Sequence, residues 1–274
     1  MHAAVIIIEP RKRASHVVRE LWLYRELLFF MAWRDLLVRY KQTVIGIAWS
    51  VLRPVITMVI LTLVFGKLAK LPSGEVPYPL LVYAAMLPWQ FFSNTFGVSA
   101  NSLVSNANMI SKTYFPRIIL PTTAMLTSLV DFLIAFGVYI AMMFWYGLFP
   151  DWKIVVLPLL MILAALASLG AGFFISALNV TYRDFAIVVP FIVQFGLYVS
   201  PVGFSSDVVP EQWRLLYSLN PMVGVIDGFR WALLGGETQL YMPGFILSTC
   251  LTLLIFFLGV RFFYRSQRTF ADII

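Results

Sequence analysis

A chain of 274 residues that is 61% hydrophobic and only 12% charged cannot hide its apolar surface inside a water-soluble core. Its mean hydropathy of +0.86 comes from continuous apolar runs, which predict membrane-spanning helices and exclude the alternating pattern of a closed barrel. The net charge of +7 fits the positive bias of cytoplasmic loops, so it is no argument for nucleic acid.

The first 42 residues read as a cytoplasmic tail followed by a surface helix. The apolar stretch 5–8 is too short for a signal peptide, and the basic cluster Arg11, Lys12 and Arg13 follows it. His2 and His16 both lie here, so no histidine-based metal site is expected. Further on, Trp33, Leu36, Leu37 and Tyr40 recur at helical spacing. Arg34, Asp35, Arg39 and Lys41 fall on the opposite side. The pattern predicts an amphipathic helix in the membrane interface, its basic side toward headgroups. A helix packed against other protein is the alternative.

Residues 43–274 carry six expected spans, at about 43–65, 78–104, 118–146, 154–178, 185–204 and 241–264. Lys and Arg concentrate before residue 43, in the second connection and after the last span, which places both termini in the cytoplasm. In the second span Tyr83, Met86, Gln90, Asn94, Gly97 and Asn101 share one face. That stripe is either the wall of a polar pathway or a seam of interhelical hydrogen bonds. The fifth span presents Pro190, Gln194, Tyr198 and Pro201 on one face. In the fourth, Ala164, Ser168, Gly172 and Ser176 recur every four residues and predict close helix packing. Cys250 sits in an apolar run and reads as inert packing.

Two connections are unlike loops. The segment NANMISKTYFPRIILP, from Asn106, is short, polar and basic between two apolar blocks. The segment 205–240 predicts two short helices, one opening at Pro210 and Glu211, the other after Asn220-Pro221 and ending at Gly235-Gly236. Neither is long enough to cross, and together, on the outer side, they suggest a re-entrant hairpin covered by protein or a water-filled cavity. Arg53 and Asp131 are opposite charges deep in the first and third spans, so a pair joining those spans is expected. No phosphate-binding G-x-x-x-x-G-K-[ST] loop and no hydrolase or zinc motif is present in the sequence.

Several stretches together resemble the permease of ABC-2 type exporters for O-antigen and related polysaccharides. They are RDLLVRYKQTVIGIAWSVLRPVITMVILTLVFGKL from Arg34, PWQFF from Pro88, FPRIILP from Phe115, LNVTYRDF from Leu178, YVSPVGF from Tyr198 and LNPMVGVIDGFRWALLGG from Leu219. FADII closes the chain. The resemblance implies a bacterial inner-membrane homodimer of all-α subunits, with two separate ATPase subunits that bind ATP and magnesium. It implies a coupling helix at about 105–116, with Asn108, Met109, Ile110, Lys112 and Tyr114 meeting the ATPase and Asn106 or Asn108 as its cap. It makes 205–240 an extracytoplasmic gate. It also implies a channel for undecaprenyl-linked polysaccharide, for which Tyr83, Gln90, Asn94, Asn101, Gln194, Tyr198, Trp49, Trp89 and Phe92 are the candidate lining residues. In that setting Arg53 could instead meet the diphosphate of the lipid carrier. Capsule or teichoic acid export, small-lipid or drug export, and a membrane enzyme are the rival readings.

Overall fold

The computed structural model describes residues 17–41, 48–74, 76–149, 151–235, 239–267 and 270. The basic N-terminal cluster, the expected start of the first span at Thr43, Gly236, Arg268 and the last four residues lie outside them. Among the described residues the fold is all-helical, with no strand.

Helices α1 (Val17–Leu23) and α2 (Arg25–Lys41) open the chain. Helix α3 (Ala48–Leu61) runs on into a π-helical turn, Thr62–Leu68. The polar-striped α4 (Tyr78–Ser105) follows, then the short α5 (Ala107–Lys112) and α6 (Ile119–Trp145). A 3-10 turn, Trp152–Val156, leads into α7 (Leu157–Thr181), and α8 (Phe185–Val199) comes next. After another 3-10 turn, Ser206–Val208, come α9 (Glu211–Tyr217), α10 (Pro221–Leu233) and α11 (Met242–Ser266).

Among the described residues, four segments are both long and apolar enough to cross a membrane: Ala48–Leu68, Ile119–Trp145, Trp152–Thr181 and Met242–Ser266. The other two expected spans differ from these for separate reasons. Helix α4 is long enough, at ~42 Å for its 28 residues, but rich in amides and hydroxyls. Most of it is buried in the bundle against α6, α7 and α10, while Gln90 and Asn94 border a cavity. Helix α8 is apolar but stops at Val199 after 15 residues, only ~22 Å. Ser200 turns extended because the residue before proline is pushed out of helical geometry.

Small residues set the close crossings. Ala164, Ser168, Gly172 and Ser176 are buried on α7, and a Cβ on Gly172 would lie 2.6 Å from the Ser99 Cβ on α4. The tightest crossing is between α7 and α11, where a Cβ on Gly259 would come within 2.1 Å of the Gly170 carbonyl oxygen. Two apolar cores result. One gathers α4, α6, α7 and α10. The other, at the α5 end, gathers Leu28 and Met31 of α2 with Ile110, Phe115, Ile118, Phe263 and Phe270. Polar ties close this end: the Tyr264 hydroxyl donates to Glu20 at 2.9 Å, and Arg117 donates to the Gln267 carbonyl at 2.5 Å.

Candidate functional site

Four helices converge on a cavity of about 500 Å³. Helix α2 brings Arg39 and Tyr40, and α3 brings Trp49, Ser50 and Arg53. Helix α4 brings Gln90 and Asn94, and α6 brings Ser128 and Asp131. Gln90 and Asn94 are one helical turn apart, as are Ser128 and Asp131, so each helix offers the cavity a two-residue polar face.

The partner of Asp131 differs from the expectation. Its Oδ2 pairs with Arg39 at 2.5 Å, not with Arg53. Its Oδ1 accepts from the Tyr40 hydroxyl and, at 3.4 Å, from Ser50. The Arg53 guanidinium lines the same cavity but makes no ion pair among the described residues. The physical reason is reach: Arg39 and Tyr40 are neighbours at the end of α2, and both arrive at one carboxylate together. Burial pushes the Tyr40 hydroxyl above its ordinary pKa, and the Asp131 bond adds to that shift, so Tyr40 stays a donor.

This contact also revises the reading of α2. The helix packs along α6, with Leu28 and Met31 in the core at the start of α6 and Arg39 at its middle. It is the protein-packed alternative that describes this face. Arg34 pairs with the adjacent Asp35 at 2.7 Å, and Lys41 is exposed. Phe29, Phe30, Trp33 and Val38 remain exposed on the other side.

Other candidate residues lie away from the cavity. Tyr83 is fully buried and stacks on Tyr139 with ring centroids 6.1 Å apart. Trp89 and Phe92 are buried and pack on each other, and Trp89 fills the space beside Gly196. Asn101 accepts from Asn179 of α7 at 3.0 Å, so this end of the stripe is an interhelical hydrogen bond. Gln194 and Tyr198 are exposed on α8. The α4 stripe thus combines both readings: its middle faces a cavity and its ends face protein.

At α5, Asn108, Lys112 and Tyr114 are exposed and Met109 is half-buried. Ile110 turns inward to the core and is not free for a partner. Asn106 occupies the cap position, but its side chain donates back to the Ser102 carbonyl at 2.8 Å instead of capping α5.

Sequence reasoning missed Arg230. It is buried in α10 and donates to the carbonyls of Leu81 on α4, at 3.2 Å, and of Val202 and Phe204, at 3.1 and 2.8 Å. Tyr78 adds a bond to the Gly203 carbonyl at 2.7 Å. The loop 200–206 is therefore tied to α4 and α10. One turn before Arg230, Asp227 accepts from Ser206 at 2.7 Å, and burial raises its carboxyl to about 6 against the weaker pull of Arg230. The signal was present in the sequence as an Asp and an Arg three apart on a helix of small and apolar residues.

The model of the family described as ABC-2 type transporter matches residues 26–234. The chain belongs to the ABC-2 type transporter family. This ABC-2 chain is 29% identical over 260 residues to an O-antigen export system permease protein RfbA of Klebsiella pneumoniae, covering 91% of this chain and 95% of that one. A protein of the same name from Myxococcus xanthus is 27% identical over 217 residues, covering 78% and 82%. The polysialic acid transport protein KpsM of Escherichia coli is 24% identical over 246 residues, covering 85% and 90%. The matched stretch includes all four helices around the cavity, α5 and the Arg230 site.

Proposed function

We propose that this chain is the membrane permease subunit of an ATP-driven exporter that moves undecaprenyl-linked polysaccharide, in the first instance O-antigen, across a bacterial inner membrane. The observation that carries this is the near end-to-end likeness to O-antigen export permeases. The sequence offers no phosphate-binding loop, so ATP and its magnesium belong to a separate ATPase subunit. Two copies of this chain and two ATPase subunits make the working assembly. The exposed Lys112 and Tyr114 at α5 form the docking point for the ATPase on the cytoplasmic side, where both termini lie. On this reading α4 and α8 complete six crossings, α8 with the help of the loop that Arg230 holds. Helices α9 and α10 then form an outer gate. The exposed Gln194 and Tyr198 face the second copy across the polymer's path. A capsular polysaccharide is the second reading, supported by the likeness to KpsM.

The test is complementation. In a strain lacking its own permease and holding the matching ATPase, this chain is expected to restore surface O-antigen. The double variant Lys112→Glu, Tyr114→Ala should cut that export by about tenfold or more at unchanged membrane abundance, since it removes one charge and one apolar contact at an interface. Restoration of capsule but not O-antigen would select the second reading. Full export by the double variant would show that α5 is only a connector.

A further inference from the structure

We infer that the groove between the first turns of α7 and α11, closed on its third side by α10, holds an anionic glycerophospholipid, its phosphate at Lys153 and an acyl chain running down between the two helices. The site is separate from the cleft described above, and it does not depend on the export reading.

Its level in the membrane follows from topology. Helix α6 starts beside α5 and ends at Trp145, so the connection into α7 lies at the end of the bundle opposite α5. Trp145, Tyr146, Phe149 and Trp152 are all exposed there. Aromatic side chains grouped in this way settle at the level of lipid headgroups. A groove of about 570 Å³ opens at the same level. Two of its walls belong to Trp152–Thr181 and Met242–Ser266, both long and apolar enough to cross a membrane.

One cation marks the mouth. The Lys153 side chain is only 15% exposed, and its ammonium lies 5.1 Å from the centre of the Trp231 ring, which fixes its position. Its carboxylate neighbour, Asp151, stands 3.8 Å away, beyond hydrogen-bond distance. The other Asp151 oxygen is taken by the Trp152 amide at 2.7 Å. The Lys153 donors are therefore unspent among the described residues, as are the Gln239 amide and the Trp231 indole N–H beside them. A sheltered ammonium without an acceptor is costly, and phosphate oxygens supply the acceptors.

The rest of the surface decides for a lipid. Leu159 and Ile162 are exposed one turn apart on α7, and Met242 and Ile246 one turn apart on α11. These two apolar strips lead from the groove toward the Gly170–Gly259 crossing, a path suited to an acyl chain. A free phosphate would leave them bare. A second copy docked by the same face would bring two Lys153 groups together in one apolar contact. A zwitterionic headgroup would set its own cation beside Lys153. Charge thus selects an anionic lipid.

The test uses the full chain, delipidated in neutral detergent and titrated with dioleoylphosphatidylglycerol, dioleoylphosphatidylcholine or glycerol phosphate. Native mass spectrometry counts bound molecules and copies of the chain. The first phosphatidylglycerol is expected to bind about fivefold or more tightly than phosphatidylcholine, as one lysine near a headgroup provides. Lys153→Gln should abolish that preference and Lys153→Arg should keep it. Leu159→Asn should weaken both lipids by a few-fold through lost apolar contact. Thermal unfolding of each variant confirms that it is folded. Equal binding of the two lipids would overturn the anionic assignment. An unchanged preference in Lys153→Gln would overturn the place. Glycerol phosphate binding as tightly as phosphatidylglycerol would make the groove a phosphate site and not a lipid one. Loss of a second copy in Lys153→Gln and Leu159→Asn, with lipid binding intact, would make it a contact between subunits.

Discussion

Arg53 and Arg230 are both guanidinium groups on apolar helices, and the fold treats them in opposite ways. Arg230 is dry: 2% exposed, its charge spread over three backbone carbonyls. Those carbonyls lie in turns and at the start of a helix, and Arg230 satisfies them while they satisfy it. Arg53 lines an open cleft and has no carbonyl or carboxylate partner among the described residues. The first arrangement is complete and fixes a loop. The second is incomplete and leaves hydrogen-bonding capacity for something else. An arginine that completes the fold and one left open to a cleft are thus told apart by what remains unspent, not by depth.

The sharpest way to break this contrast is the same substitution at both sites. Arg230→Met removes three bonds and leaves the loop carbonyls of Val202 and Phe204 without that donor, which should cost ~3 kcal/mol or more. Arg53→Met loses no intramolecular bond among the described residues, so it should not lower stability. Thermal unfolding in detergent reads both. Similar losses in the two variants would erase the distinction.

A smaller effect is expected at the Arg39–Asp131 pair. It is part-exposed on the Arg39 side, so its coupling in a double-mutant cycle of Arg39→Gln and Asp131→Asn should be ~1 kcal/mol. The cycle of Arg53→Gln with Asp131→Asn should give close to zero. A larger coupling for Arg53 than for Arg39 would restore the pairing that the sequence suggested.

A pH-dependent effect concerns Asp227, beside Arg230 and near Ser206, Asp207 and Arg214. Burial holds its carboxyl at about 6, above the ordinary 3.8, so the folded state binds its proton more readily than the unfolded state. Its contribution to stability is therefore full below the ordinary value and falls as pH rises from about 4 to about 6. Asp227→Asn should flatten the melting temperature over that interval. An unchanged slope would mean the carboxyl is solvated like any other.

The parts of the site that were legible share a cause. Gln90 and Asn94 declared themselves through helical spacing, and Arg53 and Asp131 through charge in an apolar run. Those signals lie along one helix. What crossed between helices was not legible. Arg39 and Arg53 are equally good partners for Asp131 on paper, and only the packing of α2 along α6 chooses. Helix α2 looked flat on the membrane because its own periodicity says nothing of the surface it meets. Arg230 escaped because its partners are carbonyls, which every residue has. The fifth span came out short because Pro201 was placed inside it, although the residue before a proline favours a helix end. The all-helical architecture was plain from hydropathy. The Gly170–Gly259 crossing was not, since the two glycines lie on different helices.

Helix α4 runs unbroken from the carbonyl that Arg230 grips, at Leu81, to Ser105 beside α5. Between its ends sits Pro88, which has no amide hydrogen to give to the carbonyl one turn earlier. Pro88 is thus the point where the hydrogen-bond ladder of α4 lacks a donor. Gln90 and Asn94 lie just beyond it, toward α5. If α5 docks a partner as proposed, a displacement there reaches Asn94 and Gln90 before it reaches Pro88 and the Leu81 end that Arg230 holds.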